Sequence, residues 1–198
     1  LTSDGKLLYT PAPGSNANDI FTYTITDATG TTAVGFVNVN IPGPPVVDLN
    51  DNGTTPSRDY ASTVDVVGAP VALTTSTASV ADPNDSTFPS LTLKTSGFED
   101  GTSEIITIAG TDFAHGVAQT TTVSQSGYSF RVVYDGADTF TITRALSGGE
   151  MPAAALSALM QGMTYRNTTP NSTDGVRNIS FTVSDGISDS NTAVSSIT

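Results

Sequence analysis

Without a single cysteine, the chain can build neither a disulfide framework nor a thiolate zinc centre, so its stability must come from packing and from hard cations if any metal is involved. It also lacks tryptophan, which removes the broadest platform on which a sugar ring stacks. Its one histidine, His115 in Thr111-Asp-Phe-Ala-His-Gly116, reads as a loop or edge residue; a serine triad would need partners that no spacing in the chain suggests. Only seven lysines and arginines stand against nineteen acidic residues, a formal net charge of −12. Such a surface repels phosphate backbones and anionic lipid, which excludes nucleic acid and membrane surfaces as natural partners, and it attracts divalent cations. No apolar run is long enough to span a bilayer, and the first residues lack the basic and apolar stretches of a signal peptide, so the segment is expected to belong to a longer polypeptide.

What is present is strand chemistry. Thr, Val, Ile, Phe and Tyr alternate in short runs punctuated by Gly, Pro and Asp, and charged residues make up only 13% of the chain. Phe21, Tyr23 and Ile25 alternate with Thr22, Thr24 and Thr26, turn through Asp27-Ala-Thr-Gly30, and return as a second strand through Val34, Phe36 or Val37, Val39 and Ile41. The clearest hairpin runs Tyr128, Phe130, Val132, Tyr134, then Asp135-Gly136, then Phe140 and Ile142. Tyr60 to Leu73 reads as an edge strand interrupted at Gly68 and Pro70, a break suited to switching between sheets. Met151 to Met163 is the one helical stretch, with Leu156, Leu159, Met160 and Met163 at helical spacing and a role in covering an end of the core. The fold class expected is all-β: Greek-key β-sandwich modules in tandem with one short helix, each complete module of about seven to nine strands.

Three segments follow. Residues 1–41 read as the closing strands of an incomplete module, 42–53 as a linker rich in Pro, Asp and Asn, and 54–198 as a complete module. In the linker, Asp48, Asn50, Asp51 and Asn52 offer oxygen ligands on both sides of an extended chain, a set suited to Ca²⁺. The plain alternative is a turn, for which Asp, Asn and Gly are the ordinary residues. Other chemistry has little to hold: Glu99-Asp100 reads as a turn, and an isopeptide bond could draw only on Lys6 or Lys94, the latter expected to be an exposed strand residue.

The end of the chain repeats its beginning. Phe21-Thr-Tyr-Thr-Ile-Thr-Asp27 lines up with Ile179-Ser-Phe-Thr-Val-Ser-Asp185 at an offset of 158 residues, Tyr9 pairs with Tyr165, and Ala33-Val34 matches Ala193-Val194 if two residues are inserted. This pattern, with Asp4-Gly-Lys-Leu-Leu-Tyr-Thr-Pro-Ala12 and Asp185-Gly-Ile-Ser-Asp-Ser-Asn191, resembles the cadherin-like (Ig-like) tandem repeats of giant bacterial surface adhesins. Asp48-x-Asn-Asp-Asn52 looks like the linker through which cadherins bind calcium, and Asp82-Pro-Asn84 is similar to the motif by which the next domain completes that site. The resemblance implies a structural calcium ion held by Asp48, Asn50, Asp51, Asn52, Asp82, Asn84 and Asp85, an extracellular or cell-surface location, and neighbouring repeats or adjacent copies in a filament as partners. It implies a structural extender rather than an enzyme. The competing reading is a sandwich that binds a glycan or peptide through its loops.

Overall fold

The structure, a computed structural model, describes residues 6–11, 18–50, 58–64, 67–146 and 148–198. The chain divides into two compact units, Leu1–Gly43 and Pro44–Thr198. The first holds an antiparallel hairpin, β1 (Asp19–Thr26) and β2 (Thr32–Val39), in which Phe21 faces Val37 and Tyr23 faces Gly35. A Cβ on Gly35 would meet the Tyr23 ring at 2.4 Å, so only glycine lets the ring lie across the neighbouring strand. Phe21 stacks on Tyr9 with ring centroids 6.1 Å apart.

The second unit contains β3 (Val46–Asp48), β4 (Tyr60–Ser62), β5 (Val71–Ala72), β6 (Ser79–Ala81), β7 (Thr87–Phe88) and β8 (Ser90–Ser96). It continues with β9 (Glu104–Ile108), β10 (Thr111–Ala114), β11 (Gln119–Gln125), β12 (Tyr128–Tyr134), β13 (Thr139–Arg144) and β14 (Met151–Pro152). Helix α1 (Ala153–Gln161) precedes β15 (Thr164–Asn167), β16 (Arg177–Ser184) and β17 (Ala193–Ile197). A seven-stranded sheet has the order β11-β12-β13-β8-β16-β17-β4, and a four-stranded sheet the order β10-β9-β15-β5. Within the larger sheet, β8 lies beside β13 at the far side of the β11-β12-β13 meander, which is Greek-key connectivity. This is an Ig-like β-sandwich, the all-β class expected from the alternation.

Its core forms where the inner faces meet. Leu91, Leu93, Phe140, Ile142, Ile179 and Phe181 of the large sheet are buried, as are Ile106, Ile108, Phe113 and Tyr165 of the small one. Phe113 meets Phe140 edge to face across the gap, 5.6 Å between centroids. The break at Gly68 and Pro70 carries the chain from β4, parallel to β17 in the large sheet, to β5, antiparallel to β15 in the small one.

The structure differs from the sequence reading in several places. The strands β4–β17 that fall within 54–198 outnumber the seven to nine expected of a complete module, because several are pieces of two to four residues. The helix is shorter than 151–163, because Pro152 is extended (φ −59°, ψ 142°) and Met151–Pro152 pairs with Thr87–Phe88 instead. The 42–53 stretch is not all linker: Val46–Asp48 pairs with Ser79–Ala81, and Val47 and Leu49 are wholly buried in the larger unit. Asn191 clamps that strand, its Oδ1 accepting from Val47 N–H and its Nδ2 donating to Val47 C=O, both at 2.9 Å. Finally, the repeat needs no insertion across its turn. Phe21 faces Val37 as Ile179 faces Ser195, so both strands of the two hairpins keep the offset of 158.

Candidate metal site

Two Asp-led loops of the larger unit meet beside β8. In Asp82-Pro-Asn-Asp85, Asp82 Oδ1 accepts from the backbone N–H of Asn84 (2.7 Å) and Asp85 (2.9 Å), the Asx turn that an Asp-Pro pair favours. In Asp185-Gly-Ile-Ser188, Asp185 Oδ1 accepts from the N–H of Ile187 and Ser188, both at 2.6 Å, while Gly186 takes the left-handed conformation (φ 89°). The loops are neighbours because Ser184 pairs with Ser90 at the end of the β8–β16 ladder, which brings Gly186 against Pro89.

Each aspartate thus spends one oxygen on its own loop and leaves the other to be met from outside. Asp82 Oδ2 and Asp185 Oδ2 are both buried and have no hydrogen-bond partner. With a carboxylate oxygen of Asp85 they form a group whose atoms all lie within 4.8 Å of one another. Calcium–oxygen bonds are about 2.3–2.6 Å, so oxygens sharing one ion lie no more than about 5 Å apart. The spacing satisfies that limit. At an effective dielectric of about 20, two unit charges this close repel by roughly 3 kcal/mol, which a divalent cation would reverse. The donor set is all oxygen and anionic, the preference of Ca²⁺ rather than of a nitrogen- or sulfur-seeking metal. The residues present therefore fit the ion that the sequence resemblance implies.

Of the expected ligands, the structure brings together Asp82 and Asp85, and adds Asp185. Asn84 lies in the same turn. Asp48 and Asn50 are set apart from this group: β3 runs antiparallel to β6, so Val46 lies opposite Ala81 while Asp48 lies opposite Ser79, moving away from Asp82. Asp48 Oδ1 instead accepts from Asn50 N–H (3.0 Å), and Asn50 Nδ2 donates to Asp59 C=O (2.6 Å). Asp51 and Asn52 lie outside the described residues.

A second polar cluster joins the two sheets. Arg177 of β16 donates from Nε to Glu104 Oε1 of β9 at 2.8 Å and from Nη2 to Asp100 Oδ2 at 2.9 Å, while Tyr165 Oη donates to Glu104 Oε1 at 2.8 Å. Glu104 is wholly buried and Arg177 nearly so. Burial opposes the charge on Arg177, but the hydrogen bond and charge of Glu104 outweigh it and raise the guanidinium pKa. Burial, then the bond to Glu104, pushes the Tyr165 hydroxyl well above the ordinary phenol range. The Thr173 hydroxyl, helped by Asn167, the Thr173 N–H and Arg177, holds the Asp100 carboxyl below its ordinary value against desolvation. Arg177 Nη1 is also engaged, by Thr173 and Gly175 C=O. The cluster is an inter-sheet tie in a chain that has no disulfide to serve that purpose.

His115 packs on Phe98 and bonds through Nδ1 to Tyr134 Oη at 3.0 Å. Lys94 is exposed, as its strand position predicts.

A family model described as a bacterial Ig domain matches residues 1–40. No curated protein and no solved structure matches the chain.

Proposed function

We propose that this chain is a stretch of cadherin-like, Ig-like repeats from an extracellular bacterial surface protein, acting as a spacer whose modules are stiffened by bound calcium. The match of residues 1–40 to a bacterial Ig domain supports the surface-module reading, and the hairpin repeated at a fixed offset of 158 residues supports a tandem array. The observation that carries the calcium reading is the pair of buried, unpartnered oxygens on Asp82 and Asp185. Asp82, Asp85 and Asp185 would hold the ion, which would cancel their repulsion and pin two loops to each other. The Oδ1 bonds of Asp82 and Asp185 to backbone N–H keep their remaining oxygens turned inward before any ion arrives. Joint stiffening by the Asp48–Asn52 stretch and assembly into a filament belong to the same proposal. No enzymatic step is assigned, because the polar groups of the inter-sheet cluster are already committed to one another.

The test is thermal unfolding and small-angle scattering in calcium and in excess chelator. Calcium is expected to raise the melting temperature and to narrow the distribution of maximum dimensions. Identical curves in both buffers would sink the proposal. Binding on a glycan array would instead favour an adhesive module.

A further inference from the structure

The first strand of the larger unit is fastened by two segments, and both of them run into the carboxylate site. β3 pairs with β6, Val46 opposite Ala81, and the residue after Ala81 is Asp82. Val47 turns its N–H and C=O to Asn191, which closes the loop that Asp185 opens. That loop is tied to the end of β16: Ser190 N–H donates to Val183 C=O at 2.8 Å, and Ser190 Oγ accepts from Val183 N–H at 2.9 Å. A closed circuit results, from Asp82 through β6 and β3 to Asn191 and back to Asp185, whose open oxygen lies within 4.8 Å of that of Asp82. Asn191 is not needed to make the turn. At the offset of 158 the other hairpin has Ala33 in its place, and Ala33 still pairs with Ile25.

We propose that calcium at Asp82, Asp85 and Asp185 is the latch of β3, so that the ion governs whether the strand leading into the larger unit stays docked. The proposal rests on the calcium reading above and gives the ion a task outside its own loops. With the ion bound, the two loops cannot part, and β6 and Asn191 hold β3 between them. Without it, the carboxylates repel one another and the loops separate, which loosens both fastenings of β3 together. The sandwich keeps its form when this happens, because β3 belongs to neither large sheet and β6 is its strand partner among the described residues. What else holds the strand is local: Val47 and Leu49 are buried, Leu49 N–H donates to Arg58 C=O, and Leu49 C=O accepts from Thr75 N–H, both at 2.9 Å. β3 therefore opens as a small unit of its own, and its residues pass to the connection ahead of the larger unit.

The experiment is hydrogen exchange on the full chain, read amide by amide, in excess chelator and with calcium at about one hundred times its dissociation constant. An opening that expels the ion becomes about a hundredfold rarer in that calcium, whereas an opening that leaves the ion in place keeps its rate. The amides of Asn84, Asp85, Ile187 and Ser188, which bond to the two aspartates, are expected to slow about a hundredfold, and those of Val47 and Leu49 to slow with them. Asn191→Ala, which places in the larger unit the residue that the other hairpin has at this position, is expected to leave the gain in the two loops. It should remove most of the gain at Leu49, whose own acceptor, Arg58 C=O, is untouched. Slowing of the loops with no slowing of β3 leaves the calcium site standing and overturns the latch. So does a Leu49 that slows equally in Asn191→Ala. Slowing at neither place overturns the calcium reading and the latch together.

Discussion

The β1–β2 and β16–β17 hairpins share one alternation of apolar and hydroxyl residues in the same register, yet one sits in water and the other at the centre of a sandwich. Tyr23 is 46% exposed; its counterpart Phe181 is completely buried. Asp19, where Arg177 stands in the larger unit, accepts a 2.8 Å bond from Tyr9 Oη at the surface, whereas Arg177 closes a buried network through Glu104 to Tyr165. Alternation and a turn suffice to define a hairpin and its pairing. They say nothing about what lies over it, and a two-stranded sheet alone is marginal in water.

The comparison is broken most forcefully at its centre. Phe181→Ala is expected to cost about 3–5 kcal/mol, since it removes an aromatic ring from a packed interior and leaves a cavity, whereas Tyr23→Ala should change the stability of the larger unit by less than about 0.5 kcal/mol. Chemical denaturation of both variants checks this, and equal losses would mean that Tyr23 is covered in solution. Arg177→Met should follow, at about 3 kcal/mol, because it strands the buried Glu104 carboxylate with only Tyr165 and the Asp100 N–H as donors. Asp19→Met, the matching change in the smaller unit, should leave that transition where it is. A double change, Arg177→Met with Glu104→Leu, is expected to recover part of the loss by removing both charges.

Much of this fold can be read from local pattern. Phe130, Val132 and Tyr134 alternate into Asp135-Gly136, and the structure pairs them with Arg144, Ile142 and Phe140 while Asp135 Oδ1 caps the N–H of Ala137. The break at Gly68 and Pro70 was equally legible as a change of sheet. What was not legible depends on contacts between distant residues. Val47 and Leu49 lie among Pro, Asp and Asn, a composition that reads as linker until β6 is placed beside it. Asp185 reads as a turn residue, and half of it is; its second oxygen gains meaning only when the Asp82 loop arrives. Asp82 and Asp85 were identifiable by composition, but the partner assigned to them, Asp48, is carried off by an antiparallel register that composition cannot reveal. The inter-sheet ion pair did leave a signal: Arg177 and Glu104 fall in phase with Ile179, Phe181, Ile106 and Ile108, so each is a charge on a core-facing position.

Aspartates at the same turn position sharpen the comparison further. Asp27 and Asp185 each cap their turn through Oδ1, but only Asp185 has a buried Oδ2 in a carboxylate cluster. With calcium at about one hundred times its dissociation constant, the larger unit should gain about 2.7 kcal/mol. Asp185→Asn should abolish most of that gain, because it keeps the capping oxygen and removes the charge. Asp27→Asn should leave the gain intact. Calorimetric titration with calcium reads both, and an unchanged response in Asp185→Asn would remove Asp185 from the site.

The smallest effect is expected at Asp27 itself. Its Oδ1 accepts from the Thr29 hydroxyl (2.6 Å), the Thr29 N–H (2.8 Å) and the Thr31 N–H (2.9 Å). The Thr29 hydroxyl first, then the Thr31 N–H, favours the charged carboxylate and holds its pKa below the ordinary aspartate value. A pKa lower in the folded turn than in the open chain means that the open form binds a proton more readily as pH falls. The turn therefore keeps its full contribution above the ordinary aspartate range of about 3.9 and loses it as pH drops through the lowered folded value. Asp27→Asn retains the acceptor oxygen without the proton, so the acid sensitivity should vanish while the turn persists. The measurement is an NMR titration following the Thr29 and Thr31 amides: in the parent chain both should shift together with a midpoint below about 3.9, and in Asp27→Asn neither should. If the midpoint stood at the ordinary value, the carboxylate would be bonded to water rather than to the turn, and β1 and β2 would be joined by strand pairing alone.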